Sequence, residues 1–501
     1  MAAAAVNISP HRAFLSATFV VSGREISFPK ILFMEKTKIG FLPLSWDAWD
    51  HFGWSEVIRD RCVKSLEKLP GVEWVIPSKE MTGNGCVQDW NQAEAVAKLY
   101  KEQNIRALVV GNMNFGMETA LGIILNSLPK NLPLLHFTAK ADTFKEGGVR
   151  SSDTWCGAFM ANAAIKRRGW NYVHINSCWP EDQKFLDKVE SFIRGVNAIE
   201  GFCGARIGQL GPRPTLFESQ PFNEQLMEKK FSQLIVPIDV GTIFGKLDSI
   251  KEDDPRVLKI VKEIHAGANC SACSECGINT IARFEVTLEE IYKENGLDCM
   301  GAMCWSALQE RYGIAACSTF GRLNDKKILT ACEMDTLGAL TMLAMFHASL
   351  GNEIPNFIDF TELHPTQPNA WLAWHCGAAA PSLCKEGCQK DLIENAQLKQ
   401  WSDSAYGVLQ FKLKPGKATF ARLVEYDGEY TMFIGTGEVT DMEPATTGTY
   451  GWVKVNDVDD WETKMMEAGI THHGVMIYDD KVADALEMFC KYLGIRAVRA
   501  D

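Results

Sequence analysis

Residues 328–359 read ILTACEMDTLGALTMLAMFHASLGNEIPNFID, and this stretch decides the fold. A short apolar strand over 327–332 ends at Glu333, a helix follows, and a second short strand ends at Asp359. Carboxylates at the C-terminal ends of neighbouring strands converge where α/β proteins bind and transform small molecules. Two later segments add imidazoles: Trp374-His375-Cys376-Gly377 and Thr471-His472-His473-Gly474. Carboxylate oxygens combined with imidazole nitrogens suit a hard or borderline divalent cation. Asp335, at the start of the helix, reads as its N-cap.

Upstream, strands and helices alternate. Strands are expected at 38–44, 72–76, 107–111 and 132–137, with helices at 54–68, 92–102 and 117–128. The run Ala107-Leu-Val-Val-Gly111 is continuously apolar, as a parallel strand covered on both faces should be. The pattern predicts a doubly wound domain over 34–172, with its crevice at Ser45-Trp46-Asp47 and Gly111-Asn112-Met113-Asn114. No Gly-x-Gly-x-x-Gly follows the first strand, so no dinucleotide site is expected. A strand at 172–176 opens a second α/β domain, 173–355. Strands at 406–413, 417–426, 430–439 and 449–455 then alternate polar and apolar residues around Lys414-Pro-Gly416 and Asp427-Gly428. They predict an antiparallel barrel or sandwich within a last domain, 356–501, which completes the site. The fold class is therefore two doubly wound α/β domains followed by a mainly antiparallel β domain.

The chain of 501 residues is too long for one ordinary core. Its net charge is −12 without a basic cluster, which argues against nucleic acid and anionic membranes as partners. No uncharged apolar run reaches the ~18 residues of a membrane span. Sixteen cysteines are scattered, and Cys62, Cys86, Cys178 and Cys203 sit in apolar segments where a free thiol acts as a small hydrophobe. A reducing, cytoplasmic setting is expected. Residues 1–33, rich in Ala and Ser, are expected to form an N-terminal extension outside the fold, and a targeting peptide is the alternative.

Moving a carbonyl between C1 and C2 of a sugar requires removing a weakly acidic C–H proton and exchanging a proton on the adjacent oxygen. A divalent cation on O1 and O2 stabilises the enediolate, and it also keeps two facing carboxylates ionised. Glu333 and Asp359 fit those roles. Each has a plainer reading: a salt-bridge partner for Glu333, a turn cap for Asp359, and a core histidine for His375. His473 begins a strand. If it faces the site, His472 faces away or lines the sugar pocket.

A common pattern links these positions. CWSALQERYGIAAC over 304–317, Arg322-Leu-Asn-Asp325, Ala331-Cys-Glu-Met-Asp335 and Gly338-Ala-Leu-Thr-Met342 resemble the central segment of the L-fucose isomerase / L-arabinose isomerase superfamily. So do Trp374–Gly377, Pro415–Thr419 with Arg422, Gly437–Val439, His472-His473 and Ile207–Pro214 at their places. The resemblance is good over roughly 200–501 and rests mainly on the α/β pattern before that. It implies a metal-dependent aldose–ketose isomerase working through a metal-bound cis-enediolate. Glu333 and Asp359 would be acid/base and metal ligands, and His473 a further ligand. His375 would ligate as in the arabinose branch, and Trp305, His472 and Asn114 would line the sugar. Mn²⁺ is the expected cation, with Fe²⁺, Co²⁺ and Zn²⁺ left open. The resemblance also implies a homo-oligomer, trimer or hexamer, with a neighbour's N-terminal domain closing each site. The sugar is left open between a pentose, a 6-deoxyhexose and a 6-substituted hexose such as sulfoquinovose. A sulfonate would need an Arg or Lys, and Arg213 is one candidate. The strand end over 41–47 and Met303 depart from the family pattern.

Two other readings are kept. A sugar-binding or regulatory protein on the same fold would keep the site without turnover. Cys270-Ser-Ala-Cys273-Ser-Glu-Cys276 could hold a zinc or part of an iron–sulfur cluster.

Overall fold

The computed structural model describes residues 36–50, 52–141, 144–443 and 446–501. The expected extension, 1–33, lies outside the described residues apart from the pairing of Phe19–Val21 with Arg24–Ile26. The chain forms two compact units, one running to Glu200 and the other spanning Gly201–Asp501.

The first unit is built on a five-stranded parallel sheet. Its spatial order is Val72–Val75, Thr37–Leu44, Ala107–Asn112, Leu134–Ala139, Tyr172–Cys178. The strand order reverses between Thr37–Leu44 and Ala107–Asn112, so their C-terminal ends form the crevice of a doubly wound sheet. That places it where the sequence did, at Ser45 and Asn112–Asn114. Ala107–Asn112 and Leu134–Ala139 are buried throughout, because helices cover both faces. The strand expected to open the second unit, Tyr172–Cys178, is instead the edge of this sheet: it pairs in parallel with Leu134–Ala139.

Among the described residues, Gly201–Asp501 carries two sheets. One is a four-stranded parallel sheet ordered Thr330–Ala331, Cys299–Ala302, Arg206–Leu210, Leu234–Ile238. The other has nine strands. Six of them close into an antiparallel ring: Thr449–Lys454, Ala370–His375, Asn356–Leu363, His473–Ile477, Gly416–Tyr426 and Glu429–Val439, which returns to Thr449–Lys454 through Glu438↔Lys454 and Val439↔Val453. A closed ring leaves no edge in need of protection. Between the sheets lies helix Thr336–Ala348, buried along its whole length except His347. It contacts Cys299–Ala302 on one side and Gly416–Tyr426 and His473–Ile477 on the other. A helix clasped on both sides has no solvent face, which is why its sequence is apolar all round.

Two details differ from the sequence reading. The strand before Glu333 is only Thr330–Ala331, since the chain turns sharply at Cys332–Met334. Asp359 does not lie on a neighbour of that strand. Its strand, Asn356–Leu363, belongs to the ring, between Ala370–His375 and His473–Ile477. The two carboxylates therefore come from different sheets and meet over the helix that joins them.

Candidate active site

Glu333 occupies a left-handed turn. It has φ +60° and Met334 +57°, both unusual for side-chain-bearing residues. Such strain costs about 1–3 kcal/mol per residue and persists where the surroundings over-determine it. The turn rests on Gly301: a Cβ there would stand 2.9 Å from the Met334 carbonyl carbon and 3.1 Å from the Asp335 nitrogen. Only a glycine lets the turn approach the neighbouring strand so closely.

His473 and Asp359 are direct partners across the antiparallel ladder, so their side chains share a face. His473 Nε2 stands 3.1 Å from Glu333 Oε2 and 3.6 Å from Asp359 Oδ1. One ring nitrogen thus lies close to both carboxylates. Its other nitrogen, Nδ1, is 2.8 Å from Asp335 Oδ2. Asp335 is wholly buried and serves three partners. Its Oδ1 accepts the Gly338 N–H at 2.8 Å, capping the helix as expected, and Arg422 donates to both carboxylate oxygens. Burial opposes the charge on Asp335, but Arg422 and His473 outweigh it and hold the carboxyl well below its usual range. An ionised Asp335 only accepts, so the Nδ1–H of His473 is fixed and Nε2 is the atom offered to Glu333 and Asp359.

Burial alone would lower the pKa of His473. The hydrogen bonds of Asp335 and Glu333 and the charges of Asp335 and Asp359 override it and raise the value to about 9. Glu333 is likewise penalised by burial, yet the His473 hydrogen bond and charge hold it below the ordinary carboxylate value.

The donor set fits a divalent cation. Ligand atoms of Glu333, His472 and His473 lie within 4.8 Å of one another, as do those of Asp359, His375 and His473. Asp359 Oδ1 and the Nε2 atoms of His375, His472 and His473 are buried without a well-aligned hydrogen bond. Buried polar atoms aimed together in this way suit a bound cation or a substrate oxygen. His472 does not face away from His473: their ring centroids are 4.0 Å apart. It precedes the strand His473–Ile477, so strict alternation does not apply to it.

His375 belongs with Asp359 and His473 to one of these groups. Its Nδ1 accepts the Cys376 N–H at 2.9 Å, which leaves the ring proton on Nε2. In that tautomer it faces the cluster as an N–H donor, and with the proton on Nδ1 its Nε2 would offer a lone pair. Phe357 packs against both His375 and His473, with centroids at 5.6 and 4.7 Å.

Trp305 lies at the margin, edge-on to Phe217 at 5.3 Å and over Trp401 at 5.5 Å. Phe217 also meets His472 at 5.1 Å. Phe217 and the buried Gln220, whose Nε2 is 3.4 Å from Glu333 Oε2, come from the loop after Arg206–Leu210. Sequence reading missed both, because neither lies in a recognisable motif. Asn114 belongs to the first unit, where its Oδ1 accepts the N–H groups of Phe115 and Asp153, each at 2.8 Å. The Cys270, Cys273 and Cys276 thiols do not gather: Cys270 and Cys273 turn to the Ala268 and Leu392 carbonyls, and Cys276 is exposed. Among the described residues they form no group close enough to share an ion.

A family profile for the fucose/sulfoquinovose isomerase N-terminal domain matches residues 52–203, and one for the L-fucose isomerase C-terminal domain matches residues 373–500. A sulfoquinovose isomerase from Alkalicoccus urumqiensis is 24% identical over 62% of this chain and 68% of its own length. One from Clostridium sp. (strain MSTE9) is 23% identical over 78% of this chain and 85% of its own length. Among solved structures, an ABC transporter solute-binding protein from Actinobacillus succinogenes 130z with bound D-allose aligns over 63% of this chain and 92% of its own, at 10% identity and a TM-score of 0.16, too low to carry an argument. The fold and these matches define an enzyme, a sugar isomerase of the aldose–ketose kind. The chain belongs to the fucose isomerase-like family.

Proposed function

We propose that the protein is a divalent-metal-dependent isomerase of a sulfonated hexose, interconverting the aldose and the ketose by proton transfer between C1 and C2. One observation carries the metal-dependent reading: Glu333 and Asp359, from different sheets, flank one nitrogen of His473 at 3.1 and 3.6 Å, and Asp359 Oδ1 lacks a hydrogen-bond partner. Glu333, Asp359 and His473 would hold the cation, with Mn²⁺ best suited to the mixed oxygen and nitrogen set. Bound there, the cation polarises the sugar's carbonyl and neighbouring hydroxyl oxygens.

The chain's own residues do the rest. Glu333, kept ionised by His473 although buried, suits the base that takes the C–H proton. Asp359, the more exposed of the two, exchanges the proton on the adjacent oxygen. His375 donates its Nε2–H to a sugar oxygen. Trp305, Phe217 and Trp401 form an apolar wall that limits water at the reacting carbons. The sulfonate is suggested by the relatives named above. Arg213, exposed on the loop that carries Phe217 and Gln220, is the candidate to pair with it.

The experiment is isomerisation in D₂O by chelated and Mn²⁺-reconstituted protein, with a 6-sulfonated hexose and its unsulfonated parent as substrates. Deuterium at C1 or C2 that needs the cation and favours the sulfonated sugar is the expected result. A protein that binds the sugars but exchanges no deuterium would be a binding protein on the same fold. Equal turnover of both sugars would refute the sulfonate, and turnover after complete chelation would refute the metal.

A further inference from the structure

Four thiols gather beside Glu333, and the isomerase reading leaves all of them unused. Cys304 follows the strand Cys299–Ala302, and Cys332 follows Thr330–Ala331, which pairs in parallel with it through Met300↔Thr330 and Gly301↔Ala331. This pairing brings the two cysteines side by side at the C-terminal ends of adjacent strands. Both are buried, at 3% and 2% exposure. Their sulfurs and a Glu333 oxygen all lie within 4.8 Å of one another. Cys317, at the start of helix Cys317–Asp325, and Cys376, beside His375, border Cys332.

The spacing suits a small cation. With metal–sulfur bonds of about 2.3 Å and metal–oxygen bonds of about 2.1 Å, ligand atoms around a tetrahedral ion stand roughly 3.5–3.8 Å apart. The observed separations, all within 4.8 Å, are at most about 1 Å wider than that. Two thiolates and a carboxylate select Zn²⁺, Cd²⁺ or Cu⁺ over Mn²⁺ and Mg²⁺, which prefer oxygen and imidazole. The two neighbouring donor sets therefore differ in softness and share one residue.

We propose that Cys304, Cys332 and Glu333 form a second, thiophilic cation site that adjoins the isomerase centre and competes with it for the Glu333 carboxylate. Binding at this site is independent of the catalytic reading. Inhibition through it rests on that reading, because it follows from drawing Glu333 away from His473. A soft cation would then act as an inhibitor at concentrations where Mn²⁺ is present, without needing to displace it from Asp359 and His473.

The test uses the full chain, stripped of metal and kept reduced with a phosphine, titrated with Cd²⁺ while the thiolate-to-cadmium charge-transfer absorption is followed. A band that saturates near one equivalent is expected. Cys304→Ala and Cys332→Ala should each reduce its amplitude by about half and weaken Cd²⁺ binding by at least about tenfold, as losing one of three ligands would. Circular dichroism checks that each variant is folded. The Cys270→Ala/Cys273→Ala variant should leave the band unchanged. Absence of a band, its survival in the Cys304→Ala/Cys332→Ala double variant, or its loss in Cys270→Ala/Cys273→Ala would overturn the site. In the Mn²⁺-loaded enzyme, Zn²⁺ inhibition should be relieved at least about tenfold by Cys332→Ala. Unchanged inhibition in that variant, with the band lost, would refute the competition for Glu333. If no sugar is turned over at all, the band still decides the site by itself.

Discussion

Asp335 fixes the face that His473 presents: a 2.8 Å contact with Nδ1 leaves Nε2 turned to Glu333 and Asp359. One carboxylate thus caps a helix, neutralises a buried arginine and sets a tautomer. Asp335→Asn keeps the cap, since Asn is as good an N-cap. It removes the charge that orients His473 and pairs with Arg422. Calorimetric titration should show Mn²⁺ affinity reduced by about 10- to 100-fold, as for the loss of a ligand's outer partner. Thermal unfolding should show a loss of about 3 kcal/mol or more from the stranded guanidinium. Wild-type affinity would show that Asp335 only caps.

Glu333→Gln and Asp359→Asn should each lower kcat by at least ~10³ while the protein stays folded, as expected for acid/base groups that also hold the cation. Activity within about tenfold of the parent in either variant would remove that residue from the chemistry.

His375 separates two roles that sequence alone left together. If it donates Nε2–H, His375→Gln should retain Mn²⁺ stoichiometry, measured by atomic absorption, and lose about 10²-fold in kcat. Loss of bound metal with a parallel fall in activity would restore it as a ligand.

Gly301 matters through the backbone it admits. Gly301→Ala would push on the Met334–Asp335 peptide and shift Glu333 with it. The expected result is a stability loss of about 1–3 kcal/mol and a kcat/KM loss approaching 10²-fold, measured by denaturant melts and steady-state kinetics.

The first unit should be acid-sensitive through His136. This ring is buried beside Asn112 and His174, with Nε2 2.8 Å from Asn112 Oδ1. Burial, with a smaller contribution from His174, lowers its pKa to about 3. The unfolded chain takes up a proton near the ordinary value of 6.5, which the folded chain refuses until about pH 3. Stability is therefore full above about pH 6.5 and falls as pH drops through that window, by about 2 kcal/mol at pH 5. Urea melts from pH 7 to 5 should show this slope, and His136→Gln should flatten it.

Much of this was legible in the sequence where local pattern and tertiary outcome agree. The apolar run at 107–111 became a central parallel strand, the Asp427-Gly428 turn became a corner of the ring, the Lys414–Gly416 turn leads into it, and Glu333, Asp359 and His473 came together. The misreadings have a common cause. Tyr172–Cys178 and Asn356–Leu363 look the same whichever sheet they join, because a strand's periodicity does not name its partner. Asp335 carried the signature of a cap, and nothing local distinguishes a cap that also holds an imidazole from one that does not. Gln220 and Phe217 reach the site from an irregular loop, where no periodicity marks them. The nearness of Cys304 to Cys332 depends on a two-residue strand that sequence reading drew longer.

Glu333 is supplied by the parallel sheet, Asp359 and His473 by the ring, and helix Thr336–Ala348 is clasped between them. Neither half holds a working centre alone. During refolding, recovery of turnover should therefore lag behind recovery of secondary structure, since it waits for both halves to seat on the shared helix. Small tilts of that helix would change catalytic rate while leaving each half intact, so remote substitutions along its buried length are a route to tuning the enzyme.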